Sequence, residues 1–211
     1  MKKTIKVLFI LMPIVLFVLL ATFLSATIIT NFESWAYTEI TEHMSSVLNN
    51  IMIFITHIGD AIIVILICLG FFIIPKVRSK YAIPVSIGVV VSTILNRLLK
   101  SVFSRERPDI LSLISETDYS FPSGHAMINI TLYTIVIIIT CKYVNNVKLK
   151  WTIIIGCSIL TILIGFSRVY LGVHYITDII GGWLIGFVVA IIIYLGWNKI
   201  IFKGGKYYEK M

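Results

Sequence analysis

The stretch that decides the fold covers residues 167–178 and reads SRVYLGVHYITD, with an apolar run on each side. Three of its side chains, Arg168, His174 and Asp178, are ionisable in a chain that is 58% hydrophobic and only 13% charged. An ionised group at mid-bilayer costs about 2.5–3.5 kcal/mol on insertion scales, so such groups usually serve a function. We therefore begin from this stretch as the candidate site.

His174 and Asp178 are four residues apart, a spacing that places both on one face if the stretch is helical. A carboxylate that orients an imidazole is typical of a general base or a nucleophile. Arg168 adds a planar, permanently charged group suited to binding phosphate. Taken alone, the stretch also fits a buried Asp–His–Arg network that only joins two helices.

The composition of the 211 residues indicates a polytopic membrane protein of a single domain, residues 1–211. Because unpaired backbone groups are not tolerated in lipid, each apolar segment predicts a helix, and the fold class is all-α. The first segment is too long for a signal peptide, so we expect an uncleaved span. The three cysteines show no metal-ligand spacing and are expected to pack. The six segments cover about residues 7–29, 51–74, 83–103, 124–141, 151–166 and 179–202.

Thirteen of the 18 basic residues lie at alternate ends of these segments, where Glu209 is the single acid. By the positive-inside rule, those ends face the cytoplasm, which predicts six transmembrane helices with both termini cytoplasmic. Topology therefore accounts for these charges, and nucleic acid is not an expected partner. The thirteen residues are Lys2, Lys3, Lys6, Lys76, Arg78, Lys80, Lys142, Lys148, Lys150, Lys199, Lys203, Lys206 and Lys210.

The other five basic residues are predicted to lie toward the outer face, where the topology rule gives no reason for them. Four of them fall close together at the end of the third apolar segment. These exceptions indicate an outward-facing anion site in a multi-pass protein of the cell membrane. The five are Arg97, Lys100, Arg105, Arg107 and Arg168.

Two further motifs are predicted to lie on the same face. Residues 100–108, KSVFSRERP, close the third segment, and residues 122–125, PSGH, open the fourth. A Pro-Ser-Gly start leaves free N–H groups at a helix N-terminus, which suits an anion. His125 in that first turn can offer a proton to the bound group. Each motif alone has an ordinary explanation as a cap or a headgroup anchor, but the three together favour a site.

These motifs resemble the three-part signature of the type 2 phosphatidic acid phosphatase family. The matching parts are Lys-x6-Arg-Pro, Pro-Ser-Gly-His and Ser-Arg-x5-His-x3-Asp, and they cover about residues 95–190. The resemblance implies a phosphatase that needs neither metal nor cofactor. It further implies that His174 is the nucleophile, Asp178 its orienting carboxylate and His125 the acid. The implied phosphate-binding groups are Lys100, Arg107, Ser123, the Gly124 amide and Arg168.

The expected substrate is a phosphomonoester or diphosphate of a lipid at the outer leaflet, hydrolysed through a phosphohistidine. Polyprenyl diphosphate, phosphatidylglycerophosphate and phosphatidic acid remain open as candidates, and the oligomeric state is not predicted. The alternative is a transporter or channel with an outward-facing anion site, although transport sites usually lie near the midplane. A vanadate-dependent haloperoxidase shares the signature, but those proteins are soluble. Asp60 and Arg97 lie in the second and third segments at comparable depth from the outer face, which favours a structural ion pair over a proton path.

Overall fold

A computed structural model describes residues 3–109 and 111–203, and within those ranges the chain is helical without a β-strand. Four helices are long and apolar enough to cross a membrane, or up to six if each of two bent helix pairs counts as one span. Lys2, Lys206 and Lys210 lie outside the described residues. The α-helices are α1 Lys3–Thr22, α2 Thr27–Glu42, α3 Ser46–Ile58, α4 Ala61–Ile73, α5 Pro75–Val77, α6 Ile83–Phe103, α7 Gly124–Tyr143, α8 Val147–Tyr170 and α9 Ile176–Lys203, with a π-helical turn, Arg78–Ala82, before α6.

The first two predicted spans are both bent. The chain turns by 91° between α1 and α2, so the apolar run predicted to continue to residue 29 leaves the axis of α1 after Thr22. The second span bends by 46° between α3 and α4, at Gly59 and Asp60. A Cβ on Gly59 would lie 2.6 Å from Ile164 of α8, so glycine is needed where the bend approaches that helix.

The remaining four spans form a bundle in which α7 packs against α6, α8 and α9. Its core includes the fully buried residues Leu132, Ile135 and Ile164. α7 begins at Gly124, within the Pro-Ser-Gly-His motif, and α8 ends at Tyr170, within the stretch of residues 167–178.

Short turns join α7 to α8 and α8 to α9, so neighbouring helices run antiparallel. The last turns of α6 and α8 and the first turns of α7 and α9 therefore share one end of the bundle. At the opposite end, the Lys80 ammonium lies 4.5 Å from the centre of the Tyr143 ring. The three polar motifs thus meet at the end of the bundle away from Lys80.

Two glycines bring α9 into close contact with α7, directly below that end. A Cβ on Gly182 would lie 2.8 Å from the Ser123 carbonyl oxygen, and one on Gly186 would overlap the Met127 carbonyl oxygen. The Thr131 hydroxyl donates to the Gly186 carbonyl oxygen at 2.9 Å. These two glycines therefore permit close packing of α9 on α7.

Gly186→Ala should therefore destabilise the protein by about 1–3 kcal/mol, the usual cost of overpacking. Its thermal unfolding midpoint in detergent should fall below that of the unmodified protein. Gly196→Ala is the matched control, because it lies in the same helix and its Cβ would meet nothing within 4 Å. Equal midpoints for the two variants would contradict tight α7–α9 packing.

Candidate active site

Hydrogen bonds to backbone oxygens connect the polar motifs at the shared end of the bundle. The side-chain amide of Asn96 in α6 donates to the Pro122 carbonyl oxygen at 2.9 Å. The Ser123 N–H donates to the Asp178 carbonyl oxygen at 3.0 Å. The predicted convergence of the motifs is therefore present in the structure, and it includes Asn96, which the sequence analysis did not single out.

His174 lies buried in the turn before α9, and Asp178 lies fully buried in the first turn of that helix. The predicted contact is present, with Nδ1 of His174 3.3 Å from Oδ2 of Asp178. The assumption that both residues lie on one face of a helix was wrong, because His174 precedes α9. The same carboxylate oxygen accepts the Tyr175 N–H at 2.9 Å, so Asp178 both caps α9 and orients the imidazole.

This arrangement fixes which nitrogen of His174 can react. Nδ1 carries the proton that it donates to Asp178, so Nε2 keeps its lone pair. Nε2 lies 3.3 Å from Nη1 of Arg107. Because a guanidinium only donates, this contact requires a lone pair on Nε2 of His174. Burial lowers the pKa of His174 to about 4, although Asp178 opposes this shift. His174 is therefore neutral at neutral pH, as a nucleophile must be.

Asp178 also binds a cation on the side away from His174. Nη1 of Arg105 lies 2.7 Å from Oδ1 of Asp178, and Nη2 lies 2.7 Å from Oε2 of the buried Glu33 of α2. Thr177 donates to the same glutamate. Sequence reasoning placed Arg105 only in the cationic cluster and missed Glu33, whose partner is 72 residues away.

A cavity of about 200 Å³ lies next to these residues. It is lined by most of the predicted site, including both histidines. Ser123 does not line it: the side chain is fully buried and its hydroxyl accepts the Ala126 N–H as the cap of α7. Its role as a phosphate ligand therefore stays a prediction. The predicted residues that line the cavity are Lys100, Arg107, Gly124, His125, Arg168 and His174.

The three cations of the cavity are paired with two carboxylates of the connection between α6 and α7. Glu116 binds Arg168, whereas Asp118 binds Arg107 and lies 2.7 Å from the Lys100 ammonium. Burial raises the pKa of both carboxyls, but these cations outweigh it and hold both pKa values below their usual range. The three cations are therefore already paired with anions of the protein.

His125 also has a carboxylate partner. Its Nε2 lies 2.9 Å from Oδ1 of Asp60, whose Oδ2 lies 2.7 Å from Nδ1 of His57. The predicted Asp60–Arg97 ion pair is therefore wrong. Arg97 is exposed on α6, because the buried face of that helix carries Asn96 instead.

Within residues 3–109 and 111–203, no group of three or more His, Cys, Asp or Glu side chains has a geometry suited to a metal ion. The three cysteines are free. Cys68 is buried as expected of a packing residue, whereas Cys141 is exposed.

The model of the PAP2 superfamily matches residues 81–202 of the chain. Phosphatidylglycerophosphatase B of Bacillus subtilis is 34% identical over 144 residues, which are 66% of this chain and 70% of that protein. Undecaprenyl-diphosphatase of Sulfolobus acidocaldarius is 33% identical over 145 residues, 66% of each protein.

A solved structure extends the match to nearly the whole chain. The crystal structure of a transmembrane PAP2-type phosphatidylglycerolphosphate phosphatase from Bacillus subtilis superimposes with a TM-score of 0.81 and 27% identity. The superposition covers 92% of this chain and 98% of the other.

Asp118→Asn should make the cavity bind anions more tightly, because it frees Lys100 and Arg107. The Asp118 side chain is 58% exposed. Exposed ion pairs contribute about 0.2–1 kcal/mol, so the inhibition constant of vanadate should fall about two- to five-fold. Asp109→Asn is the control, an exposed carboxylate of the same connection. Weaker vanadate inhibition of Asp118→Asn than of the control would contradict the assignment of the cavity as the phosphate site.

Proposed function

This chain belongs to the PAP2 superfamily, and from that premise we propose that it is an integral membrane lipid phosphatase acting through a phosphohistidine. The observation that carries the proposal is the position of His174. Its Nδ1 is held by the buried Asp178, while its Nε2 lies 3.3 Å from Nη1 of Arg107 at the edge of a cavity that Lys100 and Arg168 also line. A transporter or channel gains no comparable support, since the charges gather at one end of the bundle.

In the first step, Nε2 of His174 attacks phosphorus and the bond from phosphorus to the leaving oxygen breaks. Asp178 stabilises the positive charge that develops on the imidazole. His125, as an imidazolium, donates its proton to the leaving oxygen. In the second step, water attacks the phosphohistidine, His125 accepts a proton from that water, and the N–P bond breaks. Inorganic phosphate and the starting state of both histidines result.

The cations of the cavity bind the transferring phosphoryl group. Lys100, Arg107 and Arg168 supply charge where it develops, and the Gly124 amide at the start of α7 adds a helix N-terminus. Substrate binding requires Glu116 and Asp118 to release these cations. No step in this scheme uses a metal ion, so we propose a metal-independent reaction.

The substrate class follows from the size and lining of the cavity. A volume of about 200 Å³ accommodates a phosphate head but no lipid chain. Ala61, Val64 and Ile128 give one wall an apolar lining, which suits the first carbons of a lipid tail that remains in the bilayer. The relatives named for phosphatidylglycerophosphate and undecaprenyl diphosphate support lipids of these two kinds, with phosphatidic acid as a third candidate.

We further propose that the site faces the outer side of the cell membrane. The site lies at the end of the bundle opposite Lys80 and Lys148, and the positive-inside rule places such basic ends in the cytoplasm.

Cysteine labelling tests this orientation. In a variant that lacks Cys68, Cys141 and Cys157, a cysteine at Lys148 should react with an impermeant maleimide only after the cells are opened. A cysteine at Thr117, which is exposed beside the cavity, should react in intact cells. Labelling of both positions from the same side would refute the outward-facing site.

The purified protein should release phosphate from at least one of the three candidate lipids in detergent, in the presence of EDTA and with inhibition by vanadate. His174→Ala should abolish turnover and the acid-labile phosphoenzyme. Asp178→Asn should retain binding and lose about 10²–10⁴ in rate, as for other carboxylate-oriented histidines. His43→Ala is the control, since the imidazole of this exposed histidine bonds only the Glu39 carbonyl oxygen among the described residues.

Two results would overturn parts of this proposal. Dependence of the rate on added magnesium would reject the metal-independent mechanism. An acid-labile phosphoenzyme trapped on His174→Ala would reject His174 as the nucleophile.

A further inference from the structure

Asp60 stands where the second span bends, and its two carboxylate oxygens bind two histidines. Oδ1 lies 2.9 Å from Nε2 of His125, and Oδ2 lies 2.7 Å from Nδ1 of His57. Asp60 is the N-cap residue of α4, but its side chain makes no capping hydrogen bond. Both carboxylate oxygens therefore bind imidazoles, and neither accepts a backbone N–H of α4.

The bend is attached to the start of α7 beside this contact. The Asn129 amide donates to the Gly59 carbonyl oxygen at 3.0 Å and to the His125 carbonyl oxygen at 2.9 Å. A Cβ on Gly59 would lie 3.1 Å from Cδ2 of His125, so the imidazole lies directly against this backbone. The orientation of the His125 ring is therefore set by the bend between α3 and α4.

The other groups that act on His125 come from the cavity. Arg168 of α8 and Glu116 of the α6–α7 connection interact electrostatically with it, in addition to Asp60. Among the described residues, no hydrogen bond involves Nδ1 of His125. That nitrogen is left for the substrate, while Nε2 is held by Asp60.

We propose that Asp60 is the positioning residue of the acid His125, and that His57 holds Asp60 in place; this inference rests on the proposed phosphatase function. With Nε2–H donated to Asp60, the imidazolium presents Nδ1–H to the leaving oxygen. After that proton is transferred, Nε2–H stays in place and the Nδ1 lone pair accepts a proton from the attacking water. Each histidine of the reaction then has its own carboxylate, Asp178 for His174 and Asp60 for His125.

Stability alone gives a weaker account of this cluster. The side chains of His57 and Asp60 are 62% and 37% exposed, and exposed ion pairs contribute only about 0–1 kcal/mol. Asp60 also lies inside an apolar segment, where a carboxylate is costly without a use.

The test compares two leaving groups in Asp60→Asn. p-Nitrophenyl phosphate releases a stable phenolate that needs little protonation, whereas lysophosphatidic acid releases an alcohol that needs a proton. Asp60→Asn should lower kcat for lysophosphatidic acid about 10²-fold, the usual contribution of a general acid. The kcat for p-nitrophenyl phosphate should fall much less, and vanadate inhibition should be unchanged. Glu42→Gln, an exposed carboxylate of α2, is the control for both substrates.

The same substitution in a His125→Ala background separates positioning from structure. There Asp60→Asn should cause no further loss on lysophosphatidic acid, because its effect passes through His125. Further loss in that background, or equal loss on both substrates in the unmodified protein, would overturn the proposal.

His57→Gln gives a second measurement at an exposed side chain, with His43→Gln as its control. It should lower the rate on lysophosphatidic acid selectively, by a smaller factor than Asp60→Asn. If Asp60→Asn does not fold, the absence of a selective loss in His57→Gln overturns the proposal. Failure of the phosphatase function itself would appear differently, as an unmodified protein that forms no acid-labile phosphoenzyme.

Discussion

The structure of the site depends on one buried charge, the carboxylate of Asp178. A carboxylate in an apolar interior is tolerated only when it is paired and hydrogen-bonded, and Asp178 receives the Tyr175 N–H, the His174 imidazole and the Arg105 guanidinium. This one carboxylate therefore caps the start of α9, orients the nucleophile candidate His174 and binds Arg105, which follows the end of α6. Through Arg105 it also reaches Glu33, which ties α2 to the bundle.

The four long helices and the meeting of the three motifs could be predicted because the signals are local. Each signal is contained in a window of about 20 residues, the length of one membrane span. The signals are a hydrophobic run, a Pro-Ser-Gly helix start and basic residues at an end that the positive-inside rule does not place in the cytoplasm. The partner of His125 could not be predicted, because Asp60 is 65 residues away in the sequence and lies at the bend between α3 and α4. The Asp60–Arg97 pairing was wrong because equal depth says nothing about which face of α6 points inward.

The cations of the cavity have counter-charges within the protein itself. Three cations in a small volume would repel one another, and the Glu116 and Asp118 carboxylates neutralise them until a phosphate arrives. In the proposed function, substrate binding exchanges these carboxylates for phosphoryl oxygens, so the net charge of the site changes little. This exchange favours ligands whose charge exceeds that of a carboxylate, as a phosphate monoester or a diphosphate does.

The bend between α3 and α4 lies outside the part of the chain that the superfamily model covers. That part begins at residue 81, so it includes His174, Asp178 and the three cations of the cavity. Asp60 and His57 precede it. The carboxylate that contacts the nucleophile candidate His174 thus lies within the part that the superfamily model covers, whereas the carboxylate that contacts His125 lies before it.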